Sequence, residues 1–106
     1  MTFDEVKKEV IKFSTDRNWD QYHTPENLAK SIAIEAGELL ECFQWSPNYD
    51  EQAVKEELAD VMNYCIQMAD KLNISIEGAI MEKISKNAEK YPVEKSYGSS
   101  KKYTEL

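Results

Sequence analysis

The sequence predicts an all-α protein that folds as an antiparallel four-helix bundle. In four separate segments, apolar residues recur every three or four positions, which places them on one face of an α-helix. The 3 glycines and 3 prolines fall mostly where such helices would start or stop. No two segments alternate apolar and polar residues as paired β-strands would. A chain of 106 residues is therefore expected to form one helical domain.

Each predicted helix begins after a residue whose side chain can accept hydrogen bonds from free backbone N–H groups. These N-cap residues are Thr2, Thr24, Asp50 and Ser75. The expected helix ends are the loop 17–23, Phe43, Asn73 and Pro92. We therefore expect a helical domain over 1–92 and a C-terminal tail over 93–106. The tail has little periodicity and is expected to pack on the bundle or on a neighbouring subunit.

Charge and hydropathy argue against two classes of binding partner, nucleic-acid polymers and membranes. The chain has 13 Lys and Arg against 20 Asp and Glu, a net charge of -7, which argues against binding a nucleic-acid polymer. No apolar run approaches the roughly 20 residues of a membrane-spanning helix, so we expect no membrane partner. The N-terminus lacks the pattern of a signal peptide, and Cys42 and Cys65 lie in periodic apolar segments. These features predict a cytoplasmic protein with reduced thiols.

Two consecutive helices carry acidic pairs beside their apolar faces. Glu35 projects from the apolar face of the second helix, and Glu38 follows one turn later. Glu57 and Asp60 repeat this spacing on the third helix. The single arginine, Arg17, lies in a loop, so no buried arginine is available to neutralise converging carboxylates. A hard divalent cation would resolve that repulsion, and all-oxygen ligands suit Mg²⁺ or Mn²⁺.

Two other interpretations compete with the metal site. The acids could lie on solvated helix faces and pair with lysines, as a single E-x-x-E motif in an acidic helical protein usually does. A di-iron bundle would need a Glu-x-x-His motif on each of two helices. The chain has one histidine, His23, and it lies outside those helices, so the di-iron interpretation fails.

The fourth helix and two loops add features that fit a nucleotide. Asn87 lies in an apolar stripe with Lys83 and Lys90 beside it, a set that could hold phosphates or simply form a solvated helix end. Aromatic side chains flank the Glu35 helix, where they could stack on a base or merely cover the end of the bundle. These loop residues are Trp19, Tyr22, His23 and Trp45.

Together, these motifs resemble the MazG-like all-α nucleotide pyrophosphohydrolases. Three segments carry the resemblance. In order along the chain they are Ile34-Glu35-Ala36-Gly37-Glu38 with its continuation to Glu41, Phe43-Gln44-Trp45, and Glu56-Glu57-Leu58-Ala59-Asp60. This is the family's E-x-x-E and E-x-x-D signature. The segments 18–23, 83–92 and 101–106 are most similar to the dCTP pyrophosphatase branch.

The resemblance implies a Mg²⁺-dependent enzyme, with Mn²⁺ as a possible substitute, acting on nucleoside triphosphates in nucleotide pool control. It would convert dCTP or a related deoxynucleotide to the monophosphate and pyrophosphate. Glu38 or Glu41 would activate the water. The implied metal ligands are Glu35, Glu38, Glu57 and Asp60. The implied substrate contacts are Trp19, Asp20, Gln21, Tyr22, His23, Trp45, Tyr64, Lys83, Asn87 and Lys90.

The family also implies a homo-oligomer, either a dimer or a tetramer built as a dimer of dimers. One departure concerns Val10, which stands where close relatives have a substrate-contacting histidine. This departure weakens the transfer of the relatives' exact base preference to this chain. The rival interpretation is a non-catalytic acidic helical module that binds nucleotides or a partner protein. A purely structural oligomer is the third alternative. All four acidic positions are present, which favours the enzyme.

Overall fold

The computed structural model describes all residues, Met1–Leu106, and contains helices but no strands, so the all-α prediction is confirmed. The helices are α1 (Phe3–Asp16), α2 (Pro25–Glu41), α3 (Glu51–Lys71), α4 (Ile76–Lys90) and the short α5 (Val93–Ser96). Two 3₁₀ turns lie at Asp20–Tyr22 and Tyr103–Glu105. None of the helices is both long enough and apolar enough to cross a lipid bilayer.

All four predicted N-caps are confirmed. In each case the cap side chain accepts a hydrogen bond from a backbone N–H of the first helical turn, which satisfies donors that the helix itself leaves free. At 3.0 to 3.1 Å, the backbone N–H of Glu5 donates to Thr2, that of Asn27 to Thr24, that of Gln52 to Asp50, and that of Gly78 to Ser75. Local chemistry therefore sets where these helices begin.

The helix ends differ from prediction in one place. α2 ends at Glu41 and not at Phe43, because the backbone N–H groups of the next residues bond to carbonyls three positions back and tighten the chain into a turn. Asn73 closes α3 as predicted. Its φ of 55° lies in the left-handed region, and Ile74 N–H donates to the Ala69 carbonyl at 2.8 Å.

Contacts divide the chain into two compact units, Met1–Ile74 and Ser75–Leu106. In the first unit, α2 packs extensively along α3, and α1 packs on another side of α3. The buried residues are Leu28, Ile66, Ala69 and Ser14, of which Leu28 is the most completely covered. On α3, Cys65 and Met68 are half-buried, and their neighbours Ile66 and Ala69 are buried.

The second unit contains α4, α5 and the C-terminal turn. The Tyr91 and Tyr103 rings meet edge to face, with centroids 6.0 Å apart, and join the end of α4 to the end of the chain. No residue of α4 is buried, and Ile80 and Ile84 are each 52% exposed. The predicted division into a domain over 1–92 and a tail over 93–106 stays a prediction.

Candidate active site

The structure brings three of the four predicted metal ligands together. One carboxylate oxygen from each of Glu35, Glu57 and Asp60 lies within 4.8 Å of the other two. Glu35 comes from the middle of α2, and the other two come from successive turns of α3. Because α2 and α3 pack side by side, acids separated by more than twenty residues in sequence meet at one point. We call these three residues the carboxylate cluster.

Glu38 borders the carboxylate cluster. A proton shared with Glu38 is the largest contribution that raises the pKa of Glu35, to about 7, and partial burial and the neighbouring negative charges add to it. Burial is the first cause that raises the pKa of Glu57, followed by the hydrogen bond with Glu38 and the nearby charges. Glu38 therefore lies close to both residues. Glu41, the last residue of α2, is exposed and outside the cluster.

Two oxygens of the carboxylate cluster lack partners. Glu35 Oε2 and Glu57 Oε2 are both buried, and neither has a hydrogen-bond partner. Surface lysines pair elsewhere: Lys30 with Glu26 at 3.1 Å and Lys12 with Asp16 at 2.7 Å, each on its own helix. Unpaired buried carboxylate oxygens are costly, and hard divalent cations take such oxygens as ligands. The donor set of the cluster therefore fits a divalent cation.

A cleft of about 370 Å³ lies between α1 and α3 beside the cluster. It is lined by the predicted substrate contacts Trp19, His23 and Tyr64 and by the predicted metal ligand Asp60. The His23 and Tyr64 rings meet edge to face, with centroids 6.5 Å apart. Asp60 belongs to both features, so the cleft opens directly onto the carboxylate cluster.

Other predicted loop contacts lie outside the cleft lining. Trp45 is 88% exposed, and Tyr22 is exposed as well. Asp20 accepts a hydrogen bond from the Thr15 hydroxyl at 3.1 Å, and the Gln21 side chain donates to the Asn18 carbonyl at 3.0 Å. Asp20 and Gln21 therefore stabilise the turn that carries Trp19. Their predicted roles in binding substrate stay predictions.

The cleft also has walls that the sequence interpretation missed. Ser14 is buried, and its hydroxyl donates to Gln67 Oε1 at 2.9 Å, which ties α1 to α3. Asn63 and Gln67 line the cleft beside Asp60. Their spacing of three and seven residues from Asp60 places them on the same face of α3 as Asp60. This spacing could have identified them from the sequence as neighbours of the site. Val10, noted as a departure from relatives, lines the cleft as an apolar wall.

The predicted phosphate contacts lie in the second unit. Lys83, Asn87 and Lys90 are exposed and follow one another along one side of α4. Lys90 Nζ lies over the Tyr103 ring, 4.9 Å from its centroid, an attractive geometry between a cation and an aromatic face. The Asn87 carbonyl accepts the Tyr91 N–H at 2.8 Å. The last two turns of α4 therefore present one amide and two cations.

Comparison with known protein families identifies the group to which this arrangement belongs. The model of the MazG-like family matches residues 30–106, which is well over half of the chain. The chain belongs to the MazG-like family. The matched part of this MazG-like chain includes all of α3 and the part of α2 from residue 30 onward, which carries Glu35 and Glu38. It begins after Trp19 and His23, so the α1 side of the cleft lies outside the match.

Individual MazG-like relatives extend the similarity to the whole chain. The chain is 34% identical to dCTP pyrophosphatase 1 from Mus musculus and 34% identical to the Homo sapiens protein of that name. Both alignments cover 99% of this chain and 68% of the relative. The crystal structure of a pyrophosphatase from Archaeoglobus fulgidus has a TM-score of 0.76 and 41% sequence identity, covering 84% of this chain and 91% of that one. The predicted family is confirmed.

Proposed function

We propose that the protein is a nucleotide pyrophosphohydrolase that converts dCTP, or a related deoxynucleoside triphosphate, to the monophosphate and pyrophosphate. The observation that carries the proposal is the position of Asp60, which belongs to both the carboxylate cluster and the cleft. A cation site that adjoins an aromatic cleft suits a ligand with a planar base at one end and phosphates at the other. The relatives named dCTP pyrophosphatase support dCTP as the substrate.

Glu35, Glu57 and Asp60, with Glu38 beside them, would hold the cation, which we propose to be Mg²⁺. When bound, Mg²⁺ neutralises phosphate oxygens and makes a water molecule more acidic at neutral pH. Water adds at the α-phosphorus, the bond to the bridging oxygen breaks, and pyrophosphate leaves. Glu38 would orient that water and accept its proton, and its closeness to both Glu35 and Glu57 supports this role. Glu41 is the alternative acceptor.

The cleft would hold the nucleoside. Trp19, His23 and Tyr64 provide flat surfaces for the base, and the amides of Asn63 and Gln67 provide donors and acceptors for its polar edge. Lys83, Asn87 and Lys90 would bind the departing phosphates, whose negative charge increases as pyrophosphate leaves. Tyr22, Trp45, Asp20 and Gln21 would shape the entrance.

We further propose that the protein acts as a homo-oligomer, as a dimer or as a dimer of dimers. Large apolar side chains are exposed on α2, with Leu40 at 71% and Ile34 at 62%, and on α4. Exposed apolar surface on this scale is typical of a subunit interface. Light scattering coupled to size-exclusion chromatography tests this directly, and a mass of 12.3 kDa would contradict it.

Because Cys42 and Cys65 form no disulfide, we propose a cytoplasmic location.

The deciding experiment measures pyrophosphate release from a panel of ribo- and deoxyribonucleoside triphosphates, with Mg²⁺ and with EDTA. We expect Mg²⁺-dependent release that is fastest with dCTP or a related deoxynucleotide. A matched pair of variants assigns the activity to the site: Asp60→Asn should abolish release, whereas Glu26→Gln, at an exposed acid of α2, should not. Absence of release from every nucleotide would overturn the proposed function.

A further inference from the structure

Three side chains lie close together at the end of α1: Arg17 stacks on Phe13, and Phe13 meets Trp19. The Arg17 guanidinium carbon lies 3.6 Å from the centroid of the Phe13 ring and 5.9 Å from that of the Trp19 ring. The Phe13 and Trp19 rings meet edge to face, with centroids 5.7 Å apart and planes inclined at 70°. Both rings line the cleft, whereas Arg17 does not. Arg17 therefore contacts the cleft wall without lining the cleft.

The backbone holds this arrangement in place. Arg17 Nη1 donates to the Phe13 carbonyl at 2.9 Å, which anchors the guanidinium over the ring. Asn18 has a φ of 54°, in the left-handed region, so the chain reverses direction directly after Arg17. As a result, Trp19 N–H donates back to the Ser14 carbonyl at 3.0 Å. Ser14 is the buried residue whose hydroxyl is bonded to Gln67 of α3.

We propose that Arg17 is a positioning residue that fixes the Phe13–Trp19 wall of the cleft for the nucleoside base. The inference rests on the proposed function, because it assigns the base to this cleft. Trp19 is 44% exposed, and its ring needs a neighbour that restrains its rotation. A guanidinium supplies that restraint because it is planar, always charged and able to stack while it donates a hydrogen bond.

If Arg17 bound phosphate directly, its loss would affect a different set of ligands. If Arg17 acts through Trp19, its loss weakens ligands that have a base and leaves base-free polyphosphate unaffected. If Arg17 contacts phosphates, its loss weakens both kinds of ligand. Inorganic tripolyphosphate, used as a competitive inhibitor, is therefore the probe that separates the two roles.

The kinetic test compares Arg17→Met, Arg17→Lys and the control Lys12→Met, which removes an exposed cation from α1, the helix that Arg17 follows. We expect Arg17→Met to raise the KM for dCTP about three- to tenfold, as the loss of a cation–aromatic contact predicts, with kcat changed less than twofold. Arg17→Lys should recover part of the loss. The inhibition constant of tripolyphosphate should not change, and Lys12→Met should resemble the parent protein.

Two further measurements separate positioning from a general loss of structure. In the Trp19→Ala background, Arg17→Met should raise KM no further, because the residue acts through that ring. The protein has 2 tryptophans, so Trp45→Phe leaves Trp19 as the only reporter. In that background, we expect Arg17→Met to increase quenching of Trp19 emission by acrylamide, with an unchanged helical circular dichroism spectrum.

The outcomes of these experiments are separable. If the parent protein hydrolyses dCTP and Arg17→Met has a KM within twofold of it, the inference is wrong while the proposed function survives. A parallel increase in the tripolyphosphate inhibition constant also overturns it, since Arg17 would then be a phosphate ligand. If the parent protein hydrolyses no nucleotide, the proposed function itself fails and the inference falls with it.

Discussion

The two compact units of the chain differ sharply in charge. Met1–Ile74 holds fifteen Asp and Glu residues against seven Lys and Arg, whereas Ser75–Leu106 holds five against six. The unpaired buried carboxylate oxygens belong to the first unit, and the lysines predicted to contact phosphate belong to the second. The acidic excess of the chain therefore lies in the first unit, whereas acidic and basic residues are nearly balanced in the second. Net charge alone conceals this division.

Removing a ligand of the carboxylate cluster should have the largest effect. We expect Asp60→Asn to lower kcat/KM for dCTP by roughly three orders of magnitude or more, because a cation contributes several kcal/mol of transition-state stabilisation. The melting temperature without metal should not fall, since the change removes repulsion among acids. Pyrophosphate release and a circular dichroism melt measure the two quantities. A variant with a tenth of the parental activity would contradict the assignment.

Changes in the second unit should weaken binding more than they slow chemistry. We expect Lys90→Gln to raise the KM for dCTP about tenfold, the loss expected for one charge-assisted hydrogen bond to phosphate. Lys86→Gln alters the same helix at a lysine without a predicted contact and is the matched control. Steady-state kinetics in Mg²⁺ measures both. Equal effects of the two substitutions would show that only overall charge matters.

Ionisation of Glu35 in the acid-rich first unit should lower the free energy of unfolding, so that stability depends on pH. Glu35 has an ordinary pKa of 4.5 that rises to about 7 in the folded metal-free protein, so the folded state binds more protons than the unfolded state between these values. The contribution of Glu35 to the free energy of unfolding should therefore be largest below pH 4.5 and be lost as pH rises through about 7. Urea denaturation in EDTA at several pH values measures this. Glu35→Gln should flatten the dependence, and an unchanged slope would contradict the assignment.

The same serine substitution should have unequal effects in the two units. Ser14→Ala removes the buried bond to Gln67 and should lower the free energy of unfolding by about 1 to 2 kcal/mol. Ser85→Ala, at an exposed position of α4, should change it by less than about 0.5 kcal/mol. Chemical denaturation of both variants tests the difference. Equal losses would mean that Ser14 does not tie α1 to α3 in solution.

The helices were predictable from sequence because their determinants are local. Capping residues such as Thr24 and Asp50 act on the turn that follows them, and their effect needs no tertiary contact. The burial of Ile66 and Ala69 was not predictable in the same way. Which side of α3 is most covered depends on how α1 and α2 share its surface, and periodicity within one helix does not encode that division.

The carboxylate cluster was predictable because acids beside apolar stripes on consecutive helices must converge when those stripes pack. The cleft was only partly predictable. Ser14 and Gln67 lie 53 residues apart in sequence, and their contact follows from the placement of α1 on α3. Their polarity alone resembles that of ordinary surface residues. Trp45 was predicted beside the base from its place at the end of the Glu35 helix and from family resemblance, and its side chain is 88% exposed.

The shared position of Asp60 has a consequence for which bond is broken. Asp60 and Gln67 are separated by two turns of α3, so the acidic and amide ends of the cleft are about 10 Å apart along a rigid helix. In the proposed reaction, α3 would therefore fix the distance between the base of the nucleotide and the phosphate that lies at the acids. In that reaction the phosphorus nearest the sugar would lie at the acids, and the two outer phosphates would depart together as pyrophosphate.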